Sequence, residues 1–179
     1  LGASVLGLMQ KFVFEQTGLS NRIKTYVPMK PKLVFFPGDK KPTKIFRNPE
    51  ELDYELSQKW GEKGNISAFR YDESKIIEFL QEGYYKAEIP TIEDAIQSLG
   101  NELTELWIKG DAQTLLDHYF TSERTKTYMA MTVSESGPVS LHDPYSAFTL
   151  PLMDSGSIFD GYYGFVKGGI WKVTEELDN

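Results

Sequence analysis

The tetrapeptide Asn48-Pro49-Glu50-Glu51 constrains this chain more than any other stretch. Asn accepts hydrogen bonds from the orphan amides of a first helical turn. Pro suits the first helical position, and Glu51 stands at the capping-box spacing. A helix therefore starts at residue 49, runs to about Trp60, and ends over Gly61 to Asn65. Before this point the pattern is that of strands. Arg22 to Val27 alternates, Lys32 to Phe36 is a compact β-branched and aromatic run, and Thr43 to Arg47 returns after the turn residues Pro37, Gly38, Asp39 and Pro42. The simplest unit is a β-hairpin.

Beyond Asn48 the spacing is mostly helical. Asp72 opens a helix bearing Ile76, Ile77, Phe79 and Leu80, which closes near Gly83. Thr91 caps a longer one whose apolar face runs from Ile92 to Trp107, with Gly110 as its stop. Asp111 starts a short helix carrying Leu115, Leu116, Tyr119 and Phe120, and Thr121 or Ser122 caps the next. At the N-terminal end Ala3 to Thr17 reads as an amphipathic helix closed by Gly18. A Ser/Gly/Pro loop spans Ser134 to Tyr145, and Ser146 to Met153 fits either helix or strand. Ile158 to Val166 reads as a strand, followed by Gly168-Gly169 and a last helix. This pattern predicts an α+β fold, an antiparallel sheet with several helices, in one domain over residues 1–179.

Composition removes several chemistries. There is no cysteine, so disulfide scaffolds, thiol nucleophiles and cysteine-based zinc or iron–sulfur sites are excluded. The two histidines, His118 and His142, are too few for a His-rich metal site, and no metal ligands are assigned. A net charge of −7 without a basic run speaks against nucleic-acid binding. No stretch approaches a membrane span, and the N-terminal segment fails as a signal peptide, lacking a positively charged n-region and having Lys11 in its apolar part. Leu1 and Asn179 read as cut edges of something longer.

Catalytic patterns are thin. No G-x-S-x-G, P-loop or H-E-x-x-H motif occurs. His118 follows Asp117 on a helix beside aromatic residues and reads as structural. His142 lies in the Ser/Gly/Pro loop, where bracing the loop competes with a functional role. The pairs Glu50-Glu51 and Asp72-Glu73 suit helix N-termini, and Glu175-Glu176 a solvated face. No catalytic side chain is assigned. The segment from Gly161 to Trp171 differs in kind, because a strand runs into a double glycine and then directly into a helix. Such a corner admits close backbone approach by a flat or anionic group.

Gly161 to Leu177, GYYGFVKGGIWKVTEEL, resembles the strand–Gly-Gly–helix corner of FAD-dependent phytoene desaturase-like oxidoreductases. The segment His118 to Ala130, HYFTSERTKTYMA, is similar to that family's "W/Y-F-x-S-E-x-L-K-A" helix. Ser140 to Ser146, SLHDPYS, resembles its S-P-x-x-P-x-S loop. The hairpin from Lys32 to Arg47 and the Asn48-Pro49-Glu50 start sit where the family has a sheet and an "R-D-P-E"-like helix start. Order and spacing agree over nearly the whole chain, nearest to the branch of pyridine nucleotide-disulfide oxidoreductase domain-containing proteins.

The resemblance implies a substrate-binding cap like those of phytoene desaturase and amine oxidase-like flavoproteins. It implies a parent enzyme that oxidises an apolar, carotenoid- or lipid-like substrate by hydride transfer to FAD, with the chain alone inactive. By position, Lys167, Gly168 and Gly169 would face the flavin, and His142, Tyr163 and Phe165 the substrate. Two departures stand out. Trp171 replaces a small residue, and no G-x-G-x-x-G follows a strand. The FAD-binding Rossmann domain is therefore expected to be absent from this chain, to be its partner in the same parent, and FAD is not expected to bind here alone. An intracellular setting, cytoplasmic or mitochondrial with peripheral membrane contact, fits such a substrate. The alternative is a stand-alone lipid- or protein-binding module without redox activity.

Overall fold

The computed structural model describes residues 5–28, 32–135, 137 and 139–178. The fold is α+β, as the pattern predicts, but its strands form two small antiparallel pairs. In chain order come α1 (Lys11–Gln16), α2 (Leu19–Arg22), β1 (Thr25–Tyr26), β2 (Lys32–Val34), β3 (Thr43–Ile45), α3 (Pro49–Trp60) and α4 (Ile66–Lys86). There follow α5 (Ile92–Leu103), α6 (Ala112–Tyr119), α7 (Glu123–Glu135), α8 (Thr149–Met153), β4 (Phe165–Val166) and α9 (Trp171–Asp178).

The hairpin is β2–β3, with Lys32 opposite Ile45 and Val34 opposite Thr43. The run at Arg22 to Val27 does not join it. Instead β1 pairs with β4, Thr25 opposite Val166 and Tyr26 opposite Phe165. Leu6 makes an isolated bridge to Gly164, each amide donating to the other's carbonyl at 2.8 Å. These pairings also correct two expectations. The helix expected from Ala3 to Thr17 shrinks to α1, because Leu6 is drawn into a bridge with Gly164 and helical structure starts only at Lys11; Ala3 itself lies outside the described residues. The strand expected over Ile158 to Val166 shrinks to β4, because Asp160 and Gly161 turn the chain with φ of 51° and 79°.

The Asn48 reading holds to the residue. Its side chain accepts from the Glu51 amide at 2.9 Å, and Gly61 closes α3 in the left-handed region. The next helix starts earlier than Asp72. Asn65 caps α4, accepting from the Ala68 amide at 2.8 Å, and Ile66 and Phe69 are already buried. Asp72 therefore stands inside the helix, where it accepts from the Tyr119 hydroxyl at 2.7 Å. Thr91 and Asp94 form a capping box at the start of α5. The helix is then broken by Gly100, with φ 83° and ψ 164°, and continues as a π-helical turn over Thr104–Lys109. Ser146 to Met153 is helical, a 3-10 turn leading into α8.

Two cores result. The larger gathers Leu56, Phe69, Ile76, Trp107, Leu115 and Val133 between the helices. The smaller joins the two ends of the chain, with Leu6, Phe14, Leu19, Ile23, Phe159 and Val166. The C-terminal segment 158–166 thus lies against the helical body, and the candidate site sits along that junction.

Candidate functional site

A cavity of about 210 Å³ lies between the hairpin, α4, α7, α8 and residues 161–165. Its apolar wall comes from the main core and includes Ile45, Leu52, Phe69, Met129 and Leu150. Its other wall is charged and aromatic: Lys32, Arg70, Glu73, Tyr128, Asp154 and Tyr162. A second, more open cavity of about 340 Å³ adjoins this inner one and shares Arg70, Glu73, Asp154, Gly161 and Tyr162 with it. Arg70, Glu73 and Asp154 therefore line both cavities.

Local sequence explains how this charged cluster is built. Arg70 and Glu73 stand three residues apart on α4, so they share a face. Phe69 and Ile76 belong to the adjoining buried stripe, and the pair is carried inward with it. Asp154 follows the last turn of α8, whose Leu150 packs in the main core. One guanidinium nitrogen, Nη1 of Arg70, donates to both carboxylates, to Glu73 Oε2 and to Asp154 Oδ2 at 3.3 Å.

Glu73 is 4% exposed, and its burial pushes its carboxyl up to about 7. Arg70 opposes that rise, and the neighbouring Asp154 carboxylate adds to it. Burial also raises the phenols of Tyr128, Tyr162 and Tyr163, the last to about 12. Tyr162 donates to the Arg47 carbonyl at 3.0 Å, with the Arg47 guanidinium 4.6 Å from its ring centre. Lys32 holds its ammonium over two rings, 5.8 Å from Tyr128 and 5.5 Å from Tyr163. Positively charged nitrogens are attracted to the negative faces of such rings.

The residues singled out from the sequence divide between places. Tyr163 and Phe165 line the inner cavity. His142 does not; it is exposed in the turn after Val139, its amide donating to the Ser140 hydroxyl at 3.2 Å. Lys167 lies at the end of β4 and donates its amide to the Lys24 carbonyl at 2.8 Å. Gly168 and Gly169 adopt φ of 92° and 104° and form the tight corner into α9. The Gly169 amide is engaged by the Val166 carbonyl at 3.0 Å, and a Cβ on Gly169 would meet the Trp171 ring at 2.8 Å. The corner thus holds a turn together, with Trp171 leaning over it.

Arg70, Asp154, Lys32 and Tyr128 are not singled out from the sequence as site residues, and Glu73, read there with Asp72 as a helix N-terminal acid, lies instead within α4 because Asn65 caps that helix. A charged pair beside an apolar stripe was the available signal for Arg70 and Glu73. It was hidden by starting the helix at Asp72, which placed Arg70 outside it. Asp154 and Lys32 reach the site only through tertiary folding. Among the described residues no group of three or more His, Cys, Asp or Glu is placed to hold a metal ion, and no helix is long and apolar enough to cross a membrane.

Comparison of the chain with protein-family models, with curated proteins and with solved structures finds no match in any of the three. The geometry of the site therefore carries the functional argument, with the resemblance at the Gly161–Leu177 segment beside it.

Proposed function

We propose that this chain is the substrate-binding portion of an FAD-dependent oxidoreductase, phytoene desaturase-like, acting on an apolar, carotenoid- or lipid-like molecule. The observation that carries this reading is the position of the inner cavity. Tyr162, Tyr163 and Phe165 wall it, and the same segment reaches the Gly168-Gly169 corner within a few residues. A substrate in the chamber would lie beside the stretch that bears the resemblance. Concave, largely apolar chambers with a few convergent polar groups are the usual form of small-molecule sites.

The residues of this chain do not by themselves fit FAD. A cavity of about 210 Å³ is smaller than ordinary ligand pockets and admits no dinucleotide. The described strands are all antiparallel, with no βαβ unit to place a phosphate at a helix N-terminus. The Gly169 amide is spent on the turn. No redox step is derived through these residues, and in this reading the flavin is held by another domain. What the chain supplies is a dry wall, a charged cluster and orientation for the substrate.

A specific observation favours a second reading, a binding module that docks on another surface. Leu33 and Phe35 on the hairpin are 58% and 61% exposed, a large apolar pair left in solvent. In the first reading that pair is where the flavin domain would pack.

The test has two arms. The chain is titrated with a fatty acid and a retinoid while tryptophan fluorescence is followed, and the whole product of its gene is purified and its flavin absorbance recorded. Saturable binding that Met129→Trp abolishes by filling the chamber, with flavin in the whole product, is the expected outcome. Absence of saturable binding would sink the substrate site. Binding without flavin would replace the oxidoreductase with the module.

A further inference from the structure

We infer that the inner chamber takes a small amphiphile by a carboxylate head, held between Lys32 and the second edge of Arg70, with its apolar body against Phe69, Met129 and Leu150. This inference rests on the ligand-binding reading above and names the class of ligand.

The hydrogen-bond inventory of the chamber leads to it. Arg70 has five N–H donors in a fixed fork. Both of its carboxylate partners are served by Nη1 alone. Among the described residues Nε and Nη2 make no hydrogen bond to protein, although the side chain, 34% exposed, lines both cavities. That edge is the one that binds carboxylates bidentately. Lys32 lines the same chamber and has no carboxylate within ion-pair distance among the described residues, only the faces of Tyr128 and Tyr163. The Tyr128 hydroxyl likewise shows no protein partner among them and gives a further donor. Lysine and arginine cannot accept hydrogen bonds, so these unused groups call for an acceptor-rich, negatively charged head.

Charge counting agrees. Lys32 and Arg70 balance Glu73 and Asp154 when both acids are ionised. Burial raises the Glu73 carboxyl above the ordinary carboxylate range, and the wall carries net positive charge whenever Glu73 takes a proton. A cationic ligand would meet two fixed cations and find both carboxylates already engaged by Arg70. Size limits the rest of the molecule. A chamber of about 210 Å³ suits a head group with a short alkyl chain or a single ring. A longer substrate would place only its end there.

The experiment uses three ligands with one skeleton: hexanoate, hexanol and hexylamine. Affinities for the chain are measured by calorimetry and ligand-observed NMR. Hexanoate is expected to bind about tenfold more tightly than hexanol, the difference made by one charged hydrogen bond, and hexylamine most weakly. Lys32→Gln should erase most of that advantage, weakening hexanoate far more than hexanol. Arg70→Lys, which keeps the charge but loses the second edge, should weaken hexanoate similarly. Unaltered tryptophan fluorescence and thermal midpoint show that each variant folds. Equal affinity for hexanoate and hexanol overturns the head-group assignment while leaving an apolar site in place. Tightest binding of hexylamine overturns it in favour of a cation site. Hexanoate binding indifferent to Lys32→Gln and Arg70→Lys puts the head elsewhere and also overturns it. Binding of none of the three removes the ligand site together with the head group.

Discussion

Replacing Glu62 with Gln should destabilise the fold by about 2 kcal/mol at neutral pH and remove part of its acid sensitivity. Glu62 stands between α3 and α4 and is 3% exposed. Its Oε1 accepts from the amides of Lys63 at 2.9 Å, Gly64 at 2.6 Å and Thr121 at 2.9 Å, and from the Thr121 hydroxyl at 2.9 Å. Its Oε2 accepts from the Ser122 amide at 3.2 Å. One carboxylate thus ties the α3–α4 connection to the start of α7. Burial works against its charge, but the Thr121 and Gly64 amides with the Thr125 and Thr121 hydroxyls outweigh burial and bring the group down to about 2. The Gln carbonyl oxygen can keep the Oε1 partners as neutral bonds. Its amide then points a donor at the Ser122 amide, and the charge assistance is lost.

The size follows from linkage. A carboxyl at about 2 in the fold, against an ordinary 4.5, is worth about 3 kcal/mol of stability to the ionised protein. Because the folded value is depressed, that contribution is complete above pH 4.5 and disappears as pH falls through 2. Gln retains several hydrogen bonds, so about 2 kcal/mol is the expected loss, a large part of the 5–15 kcal/mol of a typical domain. Urea unfolding followed by tryptophan fluorescence measures it, read as the difference between wild type and Glu62→Gln from pH 7 to pH 2.5. That difference should be near 2 kcal/mol at pH 7 and shrink towards zero below pH 3. A difference under 0.5 kcal/mol at pH 7, or one that stays constant on acidification, would refute the reasoning.

Glu73 should show the opposite sign. Its folded value lies near 7, above the ordinary 4.5, so the stability of the protonated group is complete below pH 4.5 and is lost as pH rises through 7. Glu73→Gln should therefore gain on wild type in urea midpoint between pH 5 and pH 8, and a difference that moves the other way would exclude burial as the dominant influence. Tyr119→Phe should cost about 1–3 kcal/mol, since it strands the buried Trp107 Nε1, which donates to the Tyr119 hydroxyl at 3.1 Å, and strips Asp72 of a donor. Calorimetric melting with Trp107 emission checks this, and an unchanged midpoint would mean that water replaces the hydroxyl. Gly64→Ala should destabilise by about 3 kcal/mol or more, as its Cβ would stand 2.1 Å from the Tyr119 carbonyl oxygen and 2.9 Å from Phe120 Cα, neither of which can swing away. A soluble variant with a wild-type melting curve would show that this junction is looser than its packing.

Physical range separates what the sequence disclosed from what it hid. Asn48, Thr91 and Asp111 cap helices with partners three residues away, and their signals are complete within one turn. The β2–β3 hairpin is similarly local. Leu6 pairs with Gly164, and β1 with β4, across nearly the whole chain, and no local periodicity records such a partner. Glu62 read as part of a connection because its acceptor role depends on Thr121 and Ser122, remote in sequence. Tyr163 and Phe165, in an aromatic segment legible in the sequence, line the chamber, whereas Lys32 and Asp154 enter it only after the hairpin and α8 have packed. His142, picked for its loop, stayed in its loop.

Arg70, Glu73 and Asp154 remain the part of the molecule that stability alone does not explain. Taking such charges out of water costs several kcal/mol per ion, and well-packed apolar residues in their place are often neutral or stabilising. A bridge serving only the fold would gain most by using both edges of the guanidinium and sealing the group from solvent. Here both carboxylates crowd onto Nη1, the second edge makes no hydrogen bond to protein among the described residues, and burial raises the carboxyl of one of the acids. Lys32 adds a second cation on the same wall, without a carboxylate partner among the described residues. Unused donors beside an apolar chamber are what a bound anion would complete, so in the carboxylate-binding reading proposed above the cost of burying Arg70, Glu73 and Asp154 belongs to recognition.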